Sequence, residues 1–227
     1  MEWRSVWLIA AAVVLGAAAV LLLLPRADQW TAVGDRPLVV GSATDPFSYD
    51  GTHVVFGEGR LALRADSRSM TGELDAEVRT DDPAGIVPLS GVQSGSSVGI
   101  RSVELVLESV DAPVHGDTGL GGAELPETRA WLAGSGSFDL VLDGERVREE
   151  IPGRWLVADA VRRDDGAVRR GGLVYSPLLR DKTGFSVEDR LEATIFLTLP
   201  DDATQGSVEL HVVFAEVTLT SGRRSER

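Results

Sequence analysis

Three observations predict an antiparallel all-β domain, a β-sandwich or barrel-like fold, preceded by one N-terminal transmembrane helix. Val6–Leu24 is nineteen consecutive residues without a charge, and a run of ~18 or more apolar residues can cross the ~30 Å hydrocarbon core of a bilayer as a helix. Beyond it, short segments alternate apolar and polar residues and are rich in β-branched side chains. Gly/Asp turns separate these segments, and no strand–helix alternation is visible, which argues for antiparallel strands over a parallel sheet.

The apolar run reads as an uncleaved signal anchor. The Ala-x-Ala pattern at Ala17–Ala19 lies inside the run, and Pro25-Arg26-Ala27 after it makes a poor cleavage site. A cleaved signal peptide is the alternative. Arg4 and Arg26 flank the run almost symmetrically, so loop charge orients it weakly. A five-residue head (1–5) is easily kept in the cytoplasm, which places the bulk of the chain on the extracytoplasmic side of the cell membrane. Trp3, Trp7 and Trp30 stand near the two ends, where interfacial aromatics belong.

Residues 25–52 mix Pro, Gly and Asp with short apolar patches and are expected as a stalk or linker, with a short first strand at Leu38–Val40. The β domain is expected over 53–221. Its strands are read at His53–Phe56, Arg60–Arg64, Gly72–Arg79, Val98–Val110, Ser137–Leu142, Arg146–Ile151, Arg154–Ala160, Leu173–Tyr175, Leu191–Leu199 and Val208–Thr220. In Leu191–Leu199 the odd positions are apolar while Glu192, Thr194 and Thr198 lie opposite, as in a half-buried strand. In the last segment Val208, Leu210, Val212 and Phe214 share one face and Val217 and Leu219 the other parity, so a bulge near Ala215-Glu216 is expected. Asp143-Gly144 between two strand patterns predicts a type I′ hairpin. Asp165-Gly166, inside an arginine-rich run, predicts a charged hairpin tip. Pro126 with Glu127 and Trp131-Leu132 allows two helical turns over 126–133. The tail 222–227 is expected to be disordered.

The chain carries 35 acidic against 22 basic residues, net −13, with a pI near 4.6. An acidic surface repels nucleic acid, so a DNA- or RNA-binding role is disfavoured. There is no cysteine, hence no disulfide or thiolate metal site, and no asparagine, hence no N-glycosylation acceptor.

No motif in the chain specifies a catalytic centre. Gly95-Ser96-Ser97-Val98-Gly99 fits G-x-S-x-G, but a nucleophile elbow needs a strand before the serine and a helix after it; here a Gly/Ser loop enters a strand. His115 and Asp117, in a Gly-rich loop, are the candidate metal ligands, although no two histidines stand at the spacing that converges on a metal from one element. The pairs Asp81-Asp82, Asp164-Asp165 and Asp201-Asp202 read as turn carboxylates rather than a calcium loop. Arg162, Arg163, Arg169 and Arg170 cluster at the expected hairpin tip, with Asp164 and Asp165 between them to neutralise an anion site. Trp131 and Trp155 are the ligand-binding candidates, Trp155 as a wall residue should the fold be a barrel with a cavity. No cofactor is implied.

Gly59–Thr80 as an opening strand–turn–strand and Leu140–Val147 as a mid-chain hairpin make the chain similar to the YceI-like family of secreted, lipid- and isoprenoid-binding β-barrels. The similarity covers well under half the chain. The family's His-Arg-Asp segment before the hairpin has no counterpart, and a membrane anchor is not typical of it. What the resemblance implies is an apolar cavity. The expectation from the whole sequence is a non-catalytic binding or interaction module anchored in the lipid bilayer by its N-terminal helix, its partner an unknown protein. The alternatives are a carrier of a small apolar, lipid-like ligand and, third, a metal-dependent hydrolase. A cavity at Trp155 favours the carrier, a His–carboxylate cluster the enzyme, and a solid core the interaction module.

Overall fold

The computed structural model describes residues 28–41, 47–81, 95–112, 124–201 and 206–223. Within them the strands are β1 (Asp28–Val40), β2 (Val54–Phe56), β3 (Glu58–Asp66), β4 (Thr71–Arg79), β5 (Ser97–Ala112), β6 (Ala130–Leu142), β7 (Glu145–Asp159), β8 (Arg169–Arg170), β9 (Leu173–Val174), β10 (Leu191–Asp201) and β11 (Gly206–Arg223). Eight of them, β1-β3-β4-β5-β6-β7-β10-β11, pair antiparallel in that order, and β11 returns to β1. The result is a closed barrel in which each of these eight strands has a neighbour on both sides. β2 is an extra strand on Leu38–Val40 of β1, and β8 and β9 form a separate two-stranded ribbon. No described residue is helical.

Closure depends on residues expected in the stalk. β1 begins at Asp28 and pairs with β11 from Asp28↔Arg223 to Val40↔His211. Ala32 is buried and Trp30 packs on the core, while Gln29, Thr31, Val33 and Asp35 face out. Residues 28–40, expected in the stalk, are therefore a strand of the barrel. The expected helix over 126–133 is also absent: β6 starts at Ala130, drawn into the ladder with β7 by burial of Leu132 and Ala133.

The interior parity of β11 switches between Phe214 and Val217, as its pattern foretold. β1 switches at the same level, where Arg36 takes a φ of 51°, so the two strands keep one register across the irregularity. The Asp143-Gly144 turn has φ values of 49° and 90°, the two positive values of a type I′ hairpin. Its Asp143 carboxylate also accepts from Ser96 Oγ (3.0 Å) and the Ser97 amide (2.8 Å), tying the entry of β5 to the β6–β7 turn.

Around one side of the barrel lies a second layer. Residues 47–56, 124–129 and the 160–190 excursion between β7 and β10 cover the outer face of β7, β10, β11 and the end of β1. Three satellite clusters mark the contact: Leu38, Val40, Val213 and Ala215 with Val54; Leu125, Ala133, Leu156, Ala158 and Phe196 with Phe47; and Val161, Val168, Tyr175 and Phe185 with Tyr49 and Leu179. The other side, β3 to β5, faces water on its outer surface.

Candidate functional site

Two places concentrate unusual side chains: the barrel interior at Trp155 and the covered outer face around Glu192. In the interior, Trp155, Phe138 and Phe214 are fully buried and converge with aliphatics from every barrel strand in one cluster. An eight-stranded barrel has an interior just wide enough for side chains to fill. Here the rings press on the backbone itself. A Cβ added at Gly134 would lie 2.9 Å from Trp155 Cζ2 and 1.9 Å from the Val106 carbonyl oxygen, and one at Gly153 would lie 2.8 Å from Phe138 Cε2. This explains why Gly134-Ser135-Gly136 and Pro152-Gly153, which fall between the expected elements, lie within β6 and β7. Among the described residues the Trp155 indole N–H, in a residue 1% exposed, has no acceptor within reach.

The outer face of β10 is buried as deeply as the inner. Glu192, expected to point to solvent, is 5% exposed, and its Oε2 accepts the amides of Val161 and Arg162, both at 3.1 Å. Arg162 is 2% exposed and donates from Nη1 to the carbonyls of Ser48 (2.8 Å) and Gly166 (2.7 Å). Burial pushes the Arg162 guanidinium down to about 10, opposed by the Glu192 charge, and pushes the Glu192 carboxyl above the usual range, opposed by the Arg162 amide and guanidinium. Burying a charge is costly unless it is paired and hydrogen-bonded. Each is hydrogen-bonded to two backbone groups, which pins the excursion and Ser48 to the barrel. Nearby, the Tyr175 hydroxyl donates to the Leu125 carbonyl (2.8 Å), and burial, first, with Glu124 and Glu127, raises it to about 12. His211 is buried between Phe196 and Phe47, ring centroids 4.5 and 5.2 Å away.

The sequence-derived candidates do not assemble into one site. Trp155 is inside the barrel. Trp131 is half-buried near the start of β6, where its indole N–H donates to Asp159 Oδ1 (2.9 Å) and Arg129 stacks on its ring at 3.7 Å. His115 and Asp117 lie outside the described residues, and among the described residues no group of three His, Asp or Glu side chains could hold a metal. The arginine cluster is spent on the fold rather than poised for an anion. Arg162 is buried, Arg163 bonds the Arg169 carbonyl, Arg169 pairs with Asp165, and Arg170 pairs with Asp181 at 2.8 Å. The tip itself is not a free hairpin end but packs on Val54 of β2. Ser96 Oγ donates to Asp143 and Ser97 Oγ to Glu77, and Ser97 opens β5 rather than a helix, so the strand–turn–helix of a nucleophile elbow is not formed.

What sequence reasoning missed is the Glu192–Arg162 arrangement. The signal was available in Phe196, apolar on the face assigned to solvent, and in the unbroken apolar run Val212–Ala215 of β11. An open surface cleft of about 790 Å³ lies between β2 and the ends of β3 and β4, lined by Val54–Glu58 and Arg79–Asp81. Comparison with protein-family models, with curated proteins and with solved structures finds no match for this chain. The resemblance to the lipid-binding barrels thus remains a likeness of segments.

Proposed function

We propose that the chain is a membrane-tethered interaction module: a rigid, non-catalytic barrel held on the extracytoplasmic face of the cell membrane by residues 6–24, presenting its outer surface to a protein partner. The observation that carries this reading is the filled interior. Trp155 and Phe138 lie against Gly134 and Gly153 with no room for a single added carbon, which leaves recognition to the outside of the barrel. Among the described residues no helix is long and apolar enough to cross a membrane; the segment assigned that role lies outside them.

One observation favours the second reading, a carrier of a small apolar ligand. The indole N–H groups of Trp155 and Trp30 are both buried without an acceptor, and a lipid-like ligand with a polar atom would satisfy such donors. Native mass spectrometry of the full chain extracted from its own membrane separates the two. A bare mass, or one increased by a second polypeptide, is the expected result. A reproducible small-molecule adduct lost on denaturation would overturn the module reading in favour of the carrier, and an adduct of metal mass would favour the enzyme.

A further inference from the structure

The point where β1 starts constrains how the barrel sits. The apolar run ends at Leu24 and β1 begins at Asp28. Four residue steps span at most roughly 14 Å of extended chain, and the headgroup layer beyond the hydrocarbon is itself roughly 5–7 Å thick. With residues 6–24 in the bilayer, the end of the barrel that carries Asp28 is held against the headgroups. Strand register says what else is at that end. Gln29 is paired with Asp66, the last residue of β3, and neighbouring strands lie ~4.8 Å apart. The β3–β4 turn, Ser67–Met70, therefore emerges beside the tether.

That turn presents an apolar side chain and a cation outward on a fixed frame. Met70 is 40% exposed and holds a φ of 55°, a left-handed backbone where glycine or asparagine costs less. Arg68 is exposed next to it. The frame is closed by the Asp66 carboxylate, which accepts the amides of Arg68 (2.8 Å) and Ser69 (3.2 Å), and by the Met70 carbonyl, which accepts the Leu107 amide of β5 at 3.0 Å. A flexible thioether beside a long cationic side chain suits the bilayer interface, apolar body inward and charge at the phosphates.

We propose that the β3–β4 turn is a membrane-docking element, Met70 inserting among the headgroups of the bilayer that holds the tether and Arg68 binding lipid phosphate. The assignment rests on the tether reading, and it fixes the barrel end-on, with the β6–β7 hairpin at Asp143-Gly144 farthest from the membrane. The absence of cysteine makes single-site labelling clean. The full chain is reconstituted in phosphatidylcholine/phosphatidylglycerol vesicles with an environment-sensitive fluorophore at Met70→Cys or, at the opposite end, Glu145→Cys, and nitroxide-bearing lipid is the quencher. The expected result is several-fold stronger quenching at 70 than at 145. Flotation of the unlabelled chain is measured alongside. Failure to float with vesicles would sink the tether reading and this one with it. Flotation with equal quenching at both sites, or none at 70, would overturn the docking element alone. A label at Glu73→Cys tests the side chains themselves: Arg68→Glu with Met70→Asp is expected to reduce its quenching several-fold with flotation unchanged. Unchanged quenching there would mean that the short tether alone brings the turn near lipid, and the proposal fails.

Discussion

The two sides of this barrel obey different rules. On the β3–β4 side each strand reads as strict alternation, Leu61, Leu63 and Ala65 inward and Arg60, Ala62 and Arg64 outward, and the outer residues are solvated. On the β10–β11 side a second layer covers the wall, so Glu192, Thr194 and Phe196 are buried on the face opposite Ile195 and Leu197. The lesson concerns polar groups. An outward carboxylate on a bare wall costs nothing because water solvates it, whereas one beneath a cover must find donors, and Glu192 finds two backbone amides. Its neighbour Arg162 answers two carbonyls that the covering segments leave open.

The largest expected effect comes from breaking that arrangement. Arg162→Ala removes the guanidinium that answers both carbonyls and leaves two buried acceptors open, a loss of about 4 kcal/mol at roughly 1–3 kcal/mol per open acceptor. Arg64→Ala, the same substitution on the bare wall, is expected to stay within about 0.5 kcal/mol. Urea denaturation of the two variants side by side makes the comparison. Equal midpoints would mean that the cover is not fastened through Arg162 at all.

An apolar pair asks the same question without charge. Phe196→Ala opens the space between Phe47, His211 and the outer face of β10 and is expected to cost about 3 kcal/mol, at the low end for a buried aromatic. Val103→Ala, on the outer face of β5 and 53% exposed, belongs within about 0.5 kcal/mol. A Phe196 variant as mild as the Val103 variant would show that the second layer adds little packing.

The same division explains what could be read from the chain alone. The β3–β4 hairpin, the type I′ turn at Asp143-Gly144 and the parity switch in β11 were legible, because each is set by neighbours within a few residues. The strand at Asp28–Val40 was legible only at its end, Leu38–Val40. Its alternation is diluted by Pro37 and the irregular Arg36, and it becomes a barrel strand only through pairing with residues nearly two hundred positions away. Gly134 and Gly153 were left outside the expected strands for a related reason: nothing local shows that a glycine makes room for a ring on another strand. Of the candidate residues, Trp155 lies inside the barrel, while Glu192 looked like one more solvated carboxylate because no local pattern reveals a covering layer.

The smallest effect is a change of slope with pH, and it falls on Tyr175 in the cover. Removing its hydroxyl bond to the Leu125 carbonyl in Tyr175→Phe is expected to cost about 1 kcal/mol at neutral pH. Its phenol is raised to about 12, above its ordinary value near 10, so the folded state keeps a proton that the unfolded state releases. Tyr175 therefore contributes stability fully below pH ~10 and loses it as pH rises toward about 12. Tyr175→Phe removes that dependence: its stability should fall less steeply with pH than wild type above pH ~10. Urea midpoints across that range, with tyrosinate absorbance followed in parallel, measure it. Parallel curves for wild type and variant would place the Tyr175 phenol in ordinary contact with water and the cover, at that point, open.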